Sequence, residues 1–106
     1  MAEALALIDY GAGNLHSVHN ALKAAGAEHV AVTADPDLVR GAKRIVLPGV
    51  GNFGACMRAL RASGLLNSVL SVLDAQRPFL GICVGMQMLF EGSEESPDEP
   101  GLGVLE

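Results

Sequence analysis

Short unbroken apolar runs alternate along this chain with segments of helical period, and each change of period falls at a glycine, a proline or a capping residue. Ala4 to Asp9 (ALALID) is an apolar run closed by a Gly-rich turn, the pattern of a strand buried on both faces of a parallel sheet. After Tyr10, Gly11, Ala12 and Gly13, Asn14 is placed to cap a helix. Its apolar positions Leu15, Val18, Leu22 and Ala25 follow the helical repeat, with Gly26 just past the end. Val30 to Thr33 predicts a second strand, and Asp35 with Pro36 predicts the cap and first position of a brief helical turn reaching Arg40. Ile45, Val46 and Leu47 predict a third strand, broken by Pro48. The loop Pro48 to Gly54 leads into a helix with Met57 and Leu60 inward, ending at Gly64. A further helix carries Leu66, Val69, Leu70 and Leu73 on one face and is ended by Arg77 before Pro78. Phe79 to Ile82 predicts a fourth strand that turns at Cys83 into a helix carrying Met86, Leu89 and Phe90 and running to about Gly92. Ser93 to Pro100 is expected to be an acidic surface loop, and Leu102 to Leu105 a fifth strand.

Strands alternating with helices imply an α/β fold with a mostly parallel sheet and helices on both faces. In such a sheet every loop that follows a strand leaves from one edge, where open α/β folds bind their ligands. The loops at Tyr10 to Asn14, at Pro48 to Gly51 and at Cys83 are therefore expected to share one site.

Composition narrows the partners. The chain has 106 residues, half of them hydrophobic, enough for one small domain with a core. No apolar run approaches the ~20 residues of a membrane span, and no secretory signal is visible near Met1, so a cytoplasmic protein without membrane contact is expected. A net charge of -5 and 4% aromatic residues offer neither a basic stripe nor stacking platforms, which argues against nucleic acid. Cys56 and Cys83 are expected to be reduced thiols. The run Glu91, Glu94, Glu95, Asp98, Glu99 has no His or Cys interleaved and reads as a solvated face rather than a metal site. Gly11 and Gly13 alone are too weak a signal for nucleotide binding. No metal and no cofactor are expected.

Gly81, Ile82, Cys83, Val84 and Gly85 have the form of a nucleophile elbow, a strained strand-to-helix turn that needs tiny residues two before and two after the nucleophile. The sulfur would lie at the amino end of the following helix, where unpaired amides favour thiolate. A Cys between small residues is more often plain packing; the elbow spacing, Gln87 one helical turn on, and the second Gly-rich loop favour a nucleophile. Acyl transfer through Cys83 also needs two oxyanion donors. The amide of Val84 is the natural first, and the loop Gly49, Val50, Gly51 can turn the amide of Val50 toward the same point even while serving as an ordinary turn. Gln87 can hold a polar substrate. Cys56, on a helical apolar face, reads as a core thiol.

Gly81, Cys83, Gly85 and Gln87, together with the segments IDYGAGNLHSV, PGVGNFG and GICVGMQMLFEGSEE, resemble the class I, triad-type glutamine amidotransferases. Within them the likeness is to the branch of glutaminase subunits of imidazole glycerol phosphate synthases. The resemblance covers essentially the whole chain and implies a flavodoxin-like three-layer α/β sandwich, here incomplete on one side. It implies glutamine hydrolysis through a Cys83 thioester, with ammonia passed to a cyclase subunit in histidine biosynthesis. By motif, Cys83 is the nucleophile, Val50 and Val84 are oxyanion donors, and Gly51, Gln87 and Glu95 touch glutamine. Tyr10, Gly11 and Asn14 are implied to face the cyclase partner.

No residue matches the family's catalytic His and Glu, which the resemblance puts in the second half of a domain roughly twice as long. His16 and His19 are expected on the solvent face of the first helix, out of reach of the thiol. Residues 1–106 are therefore expected to be the amino-terminal part of a single amidotransferase domain and to hydrolyse glutamine poorly or not at all alone. Two other readings stay open: a DJ-1-like or dienelactone-hydrolase-like Cys hydrolase, and a non-catalytic half-domain that docks or self-associates to cover an unfinished sheet edge.

Overall fold

The computed structural model describes residues 5–93 and 98–104. Four parallel strands, β1 (Leu5–Ile8), β2 (Val30–Thr33), β3 (Arg44–Gly49) and β4 (Phe79–Cys83), lie in the order β2-β1-β3-β4. This is the strand order of a flavodoxin-like sheet. Asn14 caps α1 (Leu15–Ala24) by accepting the Ser17 amide at 3.2 Å. Asp35 caps α2 (Pro36–Gly41) by accepting the Asp37 amide at 2.9 Å, with Pro36 at its first position as expected.

The core sits on one face of the sheet. Ala6 and Ile8 of β1 and Ile45 and Leu47 of β3 point into it, as alternation along a strand requires. They pack against α3 (Phe53–Ala62), which contributes Phe53, Cys56, Met57 and Leu60, and against α4 (Leu66–Asp74). The other face carries α1, none of whose residues is fully buried. There Val32 and Leu80 remain 46% and 51% exposed, beside a groove of about 210 Å³ lined by Leu5, Leu22, Val46 and Leu80.

Four details depart from the sequence pattern. Pro48 does not break the third strand but lies within β3, opposite Ile82. The ladder to β1 ends at the pair Leu7↔Val46, and the Ile45 amide donates to Pro78 O at 3.0 Å, so alternation turns the backbone of Pro48 toward the unpaired β1 side. No ladder bond misses its donor there. Second, α3 starts at Phe53, because Asn52 caps it by accepting the Ala55 amide at 3.0 Å.

Third, the buried face of α4 is Ser68, Val69 and Val72, led in by the buried Leu65, whereas Leu70 is 37% exposed. A helix apolar almost all round leaves its facing to tertiary contact rather than to period. Ser68 is fully buried there, and its Oγ has no hydrogen-bond partner among the described residues. Ser68→Ala is expected to raise folding stability by about 1 kcal/mol, since an unsatisfied hydroxyl is costlier inside than a methyl. A fall in melting temperature would show that the hydroxyl is satisfied in solution.

Fourth, the last helix, α5 (Val84–Gln87), is a single turn rather than a helix to Gly92, and residues 102–104 form no strand; Leu105 lies outside the described residues. One observation explains both. Amides of Gly101, Leu102, Gly103 and Val104 donate to the carbonyls of Glu91, Met88, Phe90 and Leu89 at 2.7, 2.7, 3.2 and 2.8 Å. Past Met88 the amides of Leu89 and Phe90 donate three residues back, to Met86 and Gln87 O at 3.2 and 3.1 Å, so the α-helical ladder ends there and the carbonyls of residues 88–91 accept from the returning segment. It is anchored on α3, where Glu99 pairs with Arg61 and, at 3.4 Å, with Arg58, and Pro100 O accepts from Arg61 at 2.9 Å.

Candidate active site

Cys83 closes β4 and caps α5 with φ 56° and ψ -122°, a conformation that disfavours any side chain. Among the described residues the other non-glycine position with positive φ is Gln76, just past the end of α4, where a left-handed residue is routine. Holding a Cys in such a backbone costs about 1–3 kcal/mol, and persists only where the surroundings over-determine it. Those surroundings are backbone atoms. A Cβ on Gly81 would lie 2.7 Å from Gly85 O and from the Met86 N and Cα, and one on Gly85 only 2.0 Å from Leu47 O. Strand β3 and the elbow are therefore in direct main-chain contact, which glycine alone permits. The thiol that results is exposed and free.

The ladder brings the second Gly-rich loop beside it. Gly49, the last residue of β3, pairs with Cys83 in register, so Val50 and Gly51 leave the sheet next to Cys83. A Cβ on Gly49 would meet the Gly85 amide nitrogen at 2.7 Å, which shows how closely the loop lies against the first turn of α5. Val84 is nearly buried, Val50 is 60% exposed, and Gly51 and Gln87 are exposed. Gln87, four residues past Cys83, ends the single turn of α5 and so stands on the same side as the thiol. Its short length limits the field at the amino end of α5 to what one turn of peptide dipoles supplies.

The first loop joins the same edge from inside. Tyr10 is 5% exposed; its hydroxyl donates to Pro48 O, with Met88 Sδ 3.5 Å away. Burial, and then the neighbouring Cys56 thiol, push the Tyr10 phenol well above its ordinary value, so it remains a neutral donor. The Cys56 thiol, itself buried, donates to Val50 O at 3.3 Å. Gly11 and Asn14 are exposed, while the side chain of Tyr10 serves the interior. Glu95 lies outside the described residues.

The structure thus gathers Cys83, Val84, Gln87, Val50 and Gly51 at one sheet edge. It gathers no base with them: among the described residues Cys83 Sγ makes no hydrogen bond to a His or a carboxylate. The exposed His16 contacts Asn20 on its own helix at 3.2 Å, and His29 precedes β2, at the opposite edge of the sheet. One contributor escaped the sequence pattern: the thiol of Cys56, indistinguishable there from ordinary core, donates to the Val50 carbonyl.

A family model described as glutamine amidotransferase class-I matches residues 6–96. The chain is 54% identical over 99 residues to the imidazole glycerol phosphate synthase subunit HisH of a Thermus thermophilus strain, covering 93% of this chain and 50% of that one. It is 56% identical over 103 residues to the HisH subunit of Zymomonas mobilis, covering 93% and 48%. The chain spans about half the length of the curated relatives it matches. In fold, a crystal structure of a glutamine amidotransferase superposes with a TM-score of 0.76 at 23% identity, covering 97% of this chain and 53% of that one.

Proposed function

We infer that this chain, which belongs to the class-I glutamine amidotransferase family, is the nucleophile-bearing, amino-terminal part of a glutaminase domain that supplies ammonia to a cyclase subunit of imidazole glycerol phosphate synthase. The observation that carries this is the strained, exposed Cys83 in register with Gly49, with Val84 following the one and Val50 the other. The glutaminase subunits among the relatives support the substrate and the pathway.

In the proposed reaction the Cys83 thiolate attacks the side-chain carbonyl carbon of glutamine. Negative charge then develops on the carbonyl oxygen, where the amides of Val84 and Val50 stabilise it. The carbon–nitrogen bond breaks as the leaving nitrogen gains a proton, which releases ammonia and leaves a glutamyl thioester on Cys83. Water then cleaves the thioester to glutamate and restores the thiol. Gly51, Gln87 and Glu95 hold the glutamine; Gly11 and Asn14 lie at the surface toward the cyclase. The protein acts in the cytoplasm as one subunit of a two-subunit enzyme, and the proton transfers fall to the family's His and Glu, which no residue of 1–106 matches by motif.

A diazo-ketone analogue of glutamine is expected to label Cys83 stoichiometrically in the natural-length protein assembled with its cyclase. Residues 1–106 alone are expected to release ammonia from glutamine at a rate indistinguishable from the uncatalysed background. A natural-length protein whose Cys83 resists the analogue would remove the glutaminase reading; near-normal turnover by residues 1–106 would remove the need for an outside base.

A further inference from the structure

Gly49 ends β3 in extended backbone and is not one of the glycines with positive φ, so no turn there calls for glycine. The elbow is what excludes a side chain. An added Cβ would lie 2.7 Å from the Gly85 nitrogen and 3.1 Å from both the carbonyl carbon and the Cβ of Val84. The bare α-carbon of Gly49 thus packs against Val84, which carries one assigned oxyanion donor, and the peptide that follows Gly49 carries the other, the Val50 N–H. Two donors serve one oxygen only if each comes within about 2.7–3.1 Å of it, so their nitrogens must stand within about 6 Å of each other. Rotation of the Gly49–Val50 peptide decides where its N–H points; the contact at Gly49 decides how far from Val84 that rotation is centred.

We propose that Gly49 is a positioning residue for the oxyanion site: by presenting no side chain to the elbow it keeps the Val50 and Val84 amides close enough to serve one oxygen. This rests on the glutaminase reading of the site. Gly49 differs here from Gly85, whose Cβ would meet Leu47 O at 2.0 Å within the paired strand. At Gly49 the clearance is short of van der Waals contact by roughly half an ångström, and the position lies past the last pair of β3 with β1, Leu7↔Val46. Either the strand end or the single turn of α5 yields by that much, the fold survives, and the two donors part. The competing description is a glycine that only lets strand and elbow close up, with stability rather than catalysis at stake.

The test uses the natural-length protein assembled with its cyclase. Gly49→Ala is expected to lower kcat for glutamine hydrolysis about tenfold with KM within about threefold, less than the loss of about 10²–10³-fold on deleting a whole oxyanion donor, because both donors remain. The second readout is alkylation of Cys83 by iodoacetamide, in which the sulfur displaces iodide from a saturated carbon and no oxyanion forms; its rate is expected to stay within about twofold of the parent. An unchanged kcat overturns the proposal, as does a fall in alkylation as large as the fall in kcat, which would place the damage in the nucleophile. A Gly49→Ala chain that does not fold also overturns it, because the glycine would then be a demand of the fold. A parent complex that releases no ammonia overturns the glutaminase reading and the proposal with it, an outcome distinct from an active parent indifferent to the added methyl.

Discussion

Gly85→Ala is expected to lose more than about 3 kcal/mol of folding stability, enough to lower the melting temperature of a domain this size by about 15 °C or to prevent folding. The added Cβ would lie 2.0 Å from Leu47 O, 2.9 Å from Leu47 C and 3.2 Å from Pro48 C. All three are main-chain atoms of β3, and β3 pairs with β1 on one side and β4 on the other. A flexible side chain could swing away; a strand held in a ladder moves only by breaking hydrogen bonds. Overpacking in an ordinary core costs about 1–3 kcal/mol because neighbours adjust, and here the neighbour cannot. Gly41→Ala is the control. It ends α2 with nothing within 4 Å of the added Cβ, and is expected to stay within about 1 kcal/mol of the parent. Thermal melts followed by circular dichroism separate the two; a Gly85→Ala protein melting within a few degrees of the parent would mean that the strand and elbow do not touch as described.

The second large effect is at Cys83, and it has opposite signs for activity and stability. Cys83→Ala and Cys83→Gly both remove the sulfur, and either is expected to cut glutamine hydrolysis by the natural-length complex more than 10³-fold, on the order seen when a covalent nucleophile is lost. Only the glycine variant also relieves the backbone at φ 56°. The strain released, about 1–3 kcal/mol, exceeds the extra chain entropy of glycine, about 0.5–1 kcal/mol. Cys83→Gly should therefore be the more stable of the two by about 0.5–2 kcal/mol, or several degrees in melting temperature. Equal melting temperatures would mean that the elbow carries no strain, and substantial turnover without the sulfur would exclude Cys83 as nucleophile.

Much of this site is legible in the sequence alone. Its parts are backbone turns, and glycine marks them: Gly81 and Gly85 bracket Cys83, and Gly49 and Gly51 bracket Val50. Parallel order, inferred from alternating periods, was enough to bring those turns to one edge. Elsewhere the pattern fell short wherever tertiary partners decide. The helix after Cys83 has the apolar spacing of a longer one, yet it ends where residues 101–104 dock on the carbonyls of 88–91, a contact too far along the chain for any local rule. On α4, Leu66, Leu70 and Leu73 compete with Leu65 and Val72 for the buried face, and only the packing surface chooses. The Tyr10 hydroxyl reaches Pro48 across 38 positions of sequence, a contact no local rule reveals, and there anchors the end of β3 beneath the site.

The main-chain contact between β3 and the elbow bears on how such a site can change over generations. The donors assigned to Val50 and Val84 are peptide N–H groups, present in every residue except proline. Almost any mutation at position 50, where the side chain is 60% exposed, alters what surrounds the donor without deleting it. Glycines 81 and 85 are the reverse, since nearly every replacement there collides with main-chain atoms. Variation is thus channelled: the side chains around these peptide groups are free to drift and be selected for new contacts, while the backbone geometry of the elbow is inherited intact or lost outright.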